Sequence, residues 1–227
     1  MSTNAKTVDL SVDSRVETAV RNAMDIYMNK LSTGFIEVGL EDTFKMHLAD
    51  LVSRELDQNT FFDDERFMVK FEKNMPVNGN NDYIDIVIEY KKGHLTKLFL
   101  IELKFKKVSD SAPDLGNIES YKDIYNLDCH KQSNQNVAGC YFIFLTNYAT
   151  YLNQSSSGTR TQIPMYDGYI IQANHNYRVT GPSSLKATLK YPNGFTFSSN
   201  YPIEYQYMNM PNVNTQEKDY WFFIIKM

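Results

Sequence analysis

Asp85, Glu102 and Lys104 are charged residues set among some of the most apolar residues of the chain, in the stretch YIDIVIEYKKGHLTKLFLIELKFKK, residues 83 to 107. Side chains alternate along a strand, so Leu98, Leu100, Glu102 and Lys104 share one face while Phe99, Ile101, Leu103 and Phe105 share the other. Both faces begin apolar and only the first turns charged, which predicts a strand that starts in the core and ends at a cleft. On the neighbouring strand Asp85 alternates with Ile84 and Ile86, and pairing through the intervening turn brings it beside Glu102. Two carboxylates that close are costly to bury unless a proton or a cation neutralises them. Mg²⁺ prefers hard oxygen ligands and takes one or two carboxylates while keeping several waters, which fits this pair. Lys104, on the same side of the strand as Glu102, would hold or deprotonate an attacking water and face a phosphate oxygen, completing a set for metal-assisted phosphodiester hydrolysis. The competing reading is a surface ion pair at a strand end. The same Glu-x-Lys spacing recurs at Glu89-Tyr90-Lys91, which runs straight into Lys92-Gly93 and is expected to be a solvated strand end.

The elements that must carry these residues follow from periodicity. Val16, Val20, Ala23, Met24, Tyr27 and Leu31 recur at three- and four-residue intervals and predict a helix over 12–31. A second helix over 40–56 carries Phe44, Leu48, Leu51 and Val52 on one stripe, and Glu41 falls on that stripe, facing inward or toward a cleft. Glu55, at the far end of the stripe, reads as a partly exposed end residue because a helix C-terminus disfavours a carboxylate. Strands are expected over 66–72, 83–90 and 98–105, joined by the turn sequences NGNN and KKGH into an antiparallel meander. Asp82 would replace Asp85 as ligand if the register were shifted. A helix over 114–128 follows Pro113, with Ile118, Tyr121 and Tyr125 on its apolar face. AGCYFIFLTN, residues 138 to 147, is too uniformly apolar for a half-exposed strand and belongs in the middle of a sheet. Residues 153–161 have loop composition, the alternation over 185–191 predicts a hairpin returning through Phe195 to Phe197, and YWFFIIKM reads as a buried last strand.

Composition narrows the partners. The chain has 227 residues, 42% of them hydrophobic, with a formal charge of −4, so no dense basic field for coating nucleic acid is present. A local basic patch would have to come from Lys91, Lys92, Lys97, Lys104, Lys106 and Lys107, whose alternative is a solvated strand end. No export signal or membrane-length apolar run is visible, which points to the cytoplasm, where Cys129 and Cys140 would be free thiols. His130 beside Cys129 lacks the second ligand pair that structural zinc needs. His47, His94, His130 and His175 are scattered singly, which disfavours a histidine-dependent nuclease, and no Gly-rich phosphate loop follows any strand.

The order helix with a carboxylate, meander with Asp, sixteen residues and Glu-Leu-Lys, helix, apolar strand resembles the PD-(D/E)xK nuclease superfamily from Glu41 to about Asn147. Ile84 stands where a proline often precedes the Asp. The segments IELKFKK, DLGNIESYKDIYNLD and GCYFIFLTNY are similar to IELKYK, DLGRYDFLKDIERLE and GYAIFLTND patterns of some bacterial members, with Asp114, Gly116, Lys122 and Asp123 in register. The resemblance implies an α/β (α+β) restriction-endonuclease-like core: a mixed central sheet flanked by helices in the order αβββαβ, plus extra C-terminal strands. It divides the chain into an N-terminal helical segment, residues 1–33, and a nuclease unit, residues 34–227, within one domain. Asp85, Glu102 and the backbone carbonyl of Leu103 would bind Mg²⁺, for which Mn²⁺ could substitute. Lys104 would position or activate the water, Glu41 would reach the metal through water, and Lys122 would contact the scissile phosphate. The implied function is metal-dependent cleavage of nucleic acid, DNA first, in a restriction or phage-defence role, with a homodimer expected if both strands of a duplex are cut. The alternative is a catalytically weak binding or interaction module on the same fold.

Overall fold

The computed structural model describes residues 11–37, 39–77, 79, 81–110, 113–180, 193–209 and 219–227. Helix α1 (Val12–Ser32) begins at Ser11, whose Oγ accepts a hydrogen bond from the Ser14 N–H at 3.2 Å, and buries Val16, Ala19, Val20, Ala23, Met24 and Tyr27 along one stripe. Helix α2 (Glu41–Gln58) has no side-chain cap at Leu40; the acidic pair Glu41 and Asp42 in its first turn suits the positive end of the helix dipole. Both helices pack on one face of the sheet, against Ile86, Ile88, Phe99, Ile101, Leu103, Tyr141, Ile143 and Leu145.

The sheet is six-stranded and mixed. β1 (Glu65–Asn74), β2 (Tyr83–Lys92) and β3 (Leu95–Lys106) form the expected antiparallel meander. Helix α3 (Pro113–Ser133) then crosses to β4 (Val137–Thr146), parallel to β3. The closing strand β10 (Asp219–Lys226) lies antiparallel to β4, with β9 (Gln206–Asn209) at the edge, giving the order β1-β2-β3-β4-β10-β9. β4 sends Tyr141, Ile143 and Leu145 to the α1/α2 side and Cys140, Phe142 and Phe144 to the α3 side. Burial on both faces is why its sequence shows no alternation.

Helix α3 is buried on more than one side, since α4 (Thr159–Gln162) and the short strands β5 (Ile170–Ile171), β6 (Asn176–Tyr177), β7 (Phe195–Thr196) and β8 (Tyr201–Pro202) lie in the layer that covers it. Its buried set therefore mixes Ile118, Tyr121, Ile124 and Leu127 with Asn117, Ser120, Asp123, Asn126, Asp128 and His130. The polar members are tied down: Asp128 accepts from the Ser198 N–H at 2.7 Å and the Tyr201 hydroxyl at 2.7 Å, and His130 Nε2 lies 3.0 Å from Asp82.

Phe195 and Thr196 pair with Tyr177 and Asn176, and the other half of the expected hairpin, 185–191, lies outside the described residues. One expectation needs revision here. Glu89 is buried, held by Lys70 and Lys91, which keep its carboxyl down at about 2, so it does not belong to a solvated strand end. Neither Cys129 nor Cys140 is in a disulfide, and no helix among the described residues is long and apolar enough to cross a membrane.

Candidate functional site

The site begins where two strands part. β2 and β3 pair as far as Ile86 and Ile101; beyond that point β2 stays with β1 to the Tyr83–Asn74 pair, while β3 continues beside β4 to the Lys106–Thr146 pair. Asp85 and Glu102 are the next residues on the two diverging strands. Along a strand a residue directs its N–H and C=O to the same side, so Leu103 and Phe105, like Ile101, aim theirs into the wedge that β2 vacates. Leu103 N–H donates to Asp85 Oδ2 at 2.9 Å, and Phe105 N–H donates to Glu41 Oε2 at 2.9 Å. The Leu103 carbonyl consequently faces the same wedge.

Glu102 is buried with its carboxyl group in hydrogen-bond reach of Asp85. Burial first, then the charges of Asp123 and Asp85, push its pKa well above the ordinary carboxylate range. The charged form of Glu102 is therefore disfavoured where it lies, and a proton or a nearby cation would relieve it.

Lys104 joins the two faces of the sheet. Its Nζ lies 2.8 Å from Asp123 Oδ2 on α3 and 3.6 Å from Glu41 Oε1 on α2. Although burial opposes its charge, Asp123 and Glu41 raise its pKa, so the side chain is a fixed ammonium ion. A group in that state donates hydrogen bonds. Lys122 Nζ sits 2.7 Å from Asp123 Oδ1 with its side chain 33% exposed, so it reaches the rim of the wedge.

Asp123 and Lys45 escaped the sequence reading of the site. Asp123 is buried and clamps Lys104 and Lys122, its Oδ2 accepting no aligned hydrogen bond despite the ammonium contact. Lys45, one turn after Glu41, lies 3.5 Å from Asp85 Oδ1. Its i,i+4 relation to Glu41 is the signal that could have found it. Asp82 does not compete with Asp85: its carboxylate is engaged by Asn126 Nδ2 at 2.8 Å and by His130. Glu55 accepts from Asn22 Nδ2 at 3.0 Å on the outer surface.

The donor set suits a hard divalent ion. Asp85, Glu102 and the Leu103 carbonyl offer oxygen only, and Glu102 is buried beside other carboxylates that raise its pKa. Among the described residues no three His, Cys, Asp or Glu side chains converge as a metal-binding group. The six lysines of the basic run do not make a free patch: Lys91 pairs with Glu89, Lys92 with Asp64, Lys97 with Asp13, Lys104 with Asp123 and Lys106 with Glu119, while Lys107 bonds the Gly39 carbonyl. Comparison with protein-family models, with curated proteins and with solved structures gives no match.

Proposed function

We propose that this chain is a divalent-metal-dependent nuclease that hydrolyses phosphodiester bonds, with DNA as the expected substrate, on a restriction-endonuclease-like αβββαβ core. The observation that carries the reading is the contact of the Asp85 and Glu102 carboxyl groups at the open end of a strand pair, with an ammonium group two residues further along the same strand. Asp85, Glu102 and the Leu103 carbonyl would hold Mg²⁺ or Mn²⁺. When bound, the ion supplies Lewis-acid chemistry: it favours an ionised water and offsets charge on the phosphate.

The remaining steps belong to side chains. Lys104, kept charged and aimed by Asp123 and Glu41, donates to a non-bridging phosphate oxygen or to the attacking water and so stabilises developing negative charge. Lys122, a third exposed, meets the phosphate from the α3 side. Glu41 fixes the direction of the β3 backbone through Phe105 N–H. Cutting both strands of a duplex would take two copies of this site.

A second reading, a catalytically inert binding module on the same scaffold, is favoured by the internal pairing of the cleft lysines and by the net charge of −4. The two separate in one assay. Purified protein is incubated with supercoiled plasmid, single-stranded DNA and RNA in Mg²⁺ or Mn²⁺, beside Asp85→Asn and Lys104→Met. Cleavage by the wild type that both variants lose, with melting temperatures retained, supports the nuclease. A wild type inert on all three substrates with both metals sinks it.

A further inference from the structure

Beside Asp85 the chain already carries a positive charge of its own. Lys45 Nζ is 2.8 Å from Glu72 Oε1, 3.2 Å from Asp42 Oδ1 and 3.5 Å from Asp85 Oδ1, and the lysine side chain is 9% exposed. Burial works against the ammonium, but Glu72, Asp85 and Asp42 together raise its pKa above the ordinary lysine range. Glu72 makes this contact from an unusual backbone. It faces Asp85 across the sheet, between the Phe71–Ile86 and Lys73–Ile84 pairs, and its φ is 45°, a region that residues other than glycine rarely adopt. Such strain persists where surrounding contacts hold it. The ladder pairs on either side hold the Glu72 backbone, and its 65% exposed side chain reaches the Lys45 ammonium.

Resting on the reading of the cleft as a divalent-cation site, we infer that Lys45 is a resident counter-charge that competes with the cation for Asp85 and sets the affinity of the site, while Glu72 draws the ammonium away from Asp85. The contact lengths already rank the two acceptors, Glu72 closer than Asp85. Removing the Lys45 charge frees Asp85 Oδ1 from its ammonium neighbour. Removing the Glu72 charge leaves the ammonium to Asp85 and Asp42. The two substitutions therefore act in opposite directions, which a purely structural role for either residue would not produce.

The test is calorimetric titration of Mn²⁺ and of Mg²⁺ into the full chain without nucleic acid, so that catalysis plays no part in the readout. Lys45→Met is expected to bind about tenfold more tightly than wild type, as removal of a unit charge a few ångström from a divalent ion implies. Glu72→Gln, an exposed substitution that leaves the core intact, is expected to bind roughly threefold more weakly. The double variant should match Lys45→Met, because Glu72 acts through Lys45. Unchanged or weaker binding in Lys45→Met, unchanged or tighter binding in Glu72→Gln, or a double variant as weak as Glu72→Gln, overturns the inference. If wild type binds and Asp85→Asn does not, such a failure belongs to Lys45 alone. If neither wild type nor Lys45→Met binds either ion, the divalent reading of the cleft falls with it.

Discussion

Acid should unfold this protein through one buried ion pair at the end of the sheet opposite the cleft. Arg15 from α1 and Glu65 at the start of β1 meet fork to fork, Nη1 to Oε1 at 2.7 Å and Nη2 to Oε2 at 3.0 Å. The Glu65 carboxylate also accepts from Phe61 N–H at 2.6 Å and the Tyr90 hydroxyl at 3.0 Å, and both side chains are almost wholly enclosed. The Arg15 bond, opposed by burial and aided by Phe61 and Tyr90, holds the Glu65 carboxyl at about 2 against an ordinary 4.5. Because the folded value is depressed, the stabilisation is present in full above about pH 4.5 and is lost as pH falls through about 2. At about 1.4 kcal/mol per pH unit, that gap is worth about 3 kcal/mol. In a domain of this size it corresponds to roughly 6–12 °C of melting temperature. The assay is thermal melting from pH 7 to pH 2 for wild type and for an Arg15→Met, Glu65→Leu double variant. Wild type should lose about 3 kcal/mol relative to the double variant between those limits. Parallel profiles would refute the argument, because they would mean that Glu65 titrates alike in the folded and unfolded chain.

Breaking the same pair from one side, by Glu65→Gln, strands the buried Arg15 charge and should cost about 3–5 kcal/mol at neutral pH, read by urea denaturation. Glu102→Gln should act with the opposite sign in metal-free buffer. The Glu102 pKa is raised by burial, Asp123 and Asp85, so its favourable contribution is complete below about 4.5 and erodes as pH rises. The glutamine variant should therefore melt higher than wild type at pH 7 and, on the proposed metal site, lose the stabilisation by Mg²⁺ expected of wild type; equal slopes of stability against pH would count against it. At Gly116 a new Cβ would stand 2.1 Å from the Tyr151 hydroxyl and 3.1 Å from its ring carbon Cζ. Gly116→Ala should lower stability by about 1–3 kcal/mol, and Tyr151→Phe in that background should restore part of it; full stability of the single variant would show that the Tyr151 ring moves freely.

The approach of Asp85 to Glu102, one step beyond the last β2–β3 pair, was legible because a two-residue turn fixes the count. Lys92 pairs with Leu95 around Gly93, whose φ of 56° the turn requires, and stepping back along both strands brings Asp85 opposite Glu102. The α1 stripe and the uniformly apolar β4 were legible for equally local reasons. Lys45 and Asp123 were not, since their partners come from other elements: Glu72 is 27 residues from Lys45, and Lys104 reaches Asp123 only because α3 folds back over the sheet. The outer layer of short strands also hid the character of α3. It buries Asn117, Asp123 and Asp128 on faces that a two-layer packing would leave in water, which erases the periodicity of a half-exposed helix.

The divergence of β2 from β3 explains why carboxylates gather at this point at all. Beyond Ile101 the N–H groups of Leu103 and Phe105 have lost their strand partner, and a buried N–H without an acceptor costs about 1–3 kcal/mol. Asp85 and Glu41 supply the acceptors, one from the departing strand and one from the first turn of α2. Asp85 and Glu41 therefore each have a backbone duty that would exist without any chemistry, and truncating either to alanine would confound the two. Asp85→Asn keeps an oxygen for Leu103 N–H while removing the charge that a cation would need, whereas Asp85→Ala removes both. A protein in which Asp85→Asn stays folded and loses both cation binding and cleavage owes that loss to charge; if Asp85→Asn keeps them and only Asp85→Ala loses them, Asp85 serves the backbone alone.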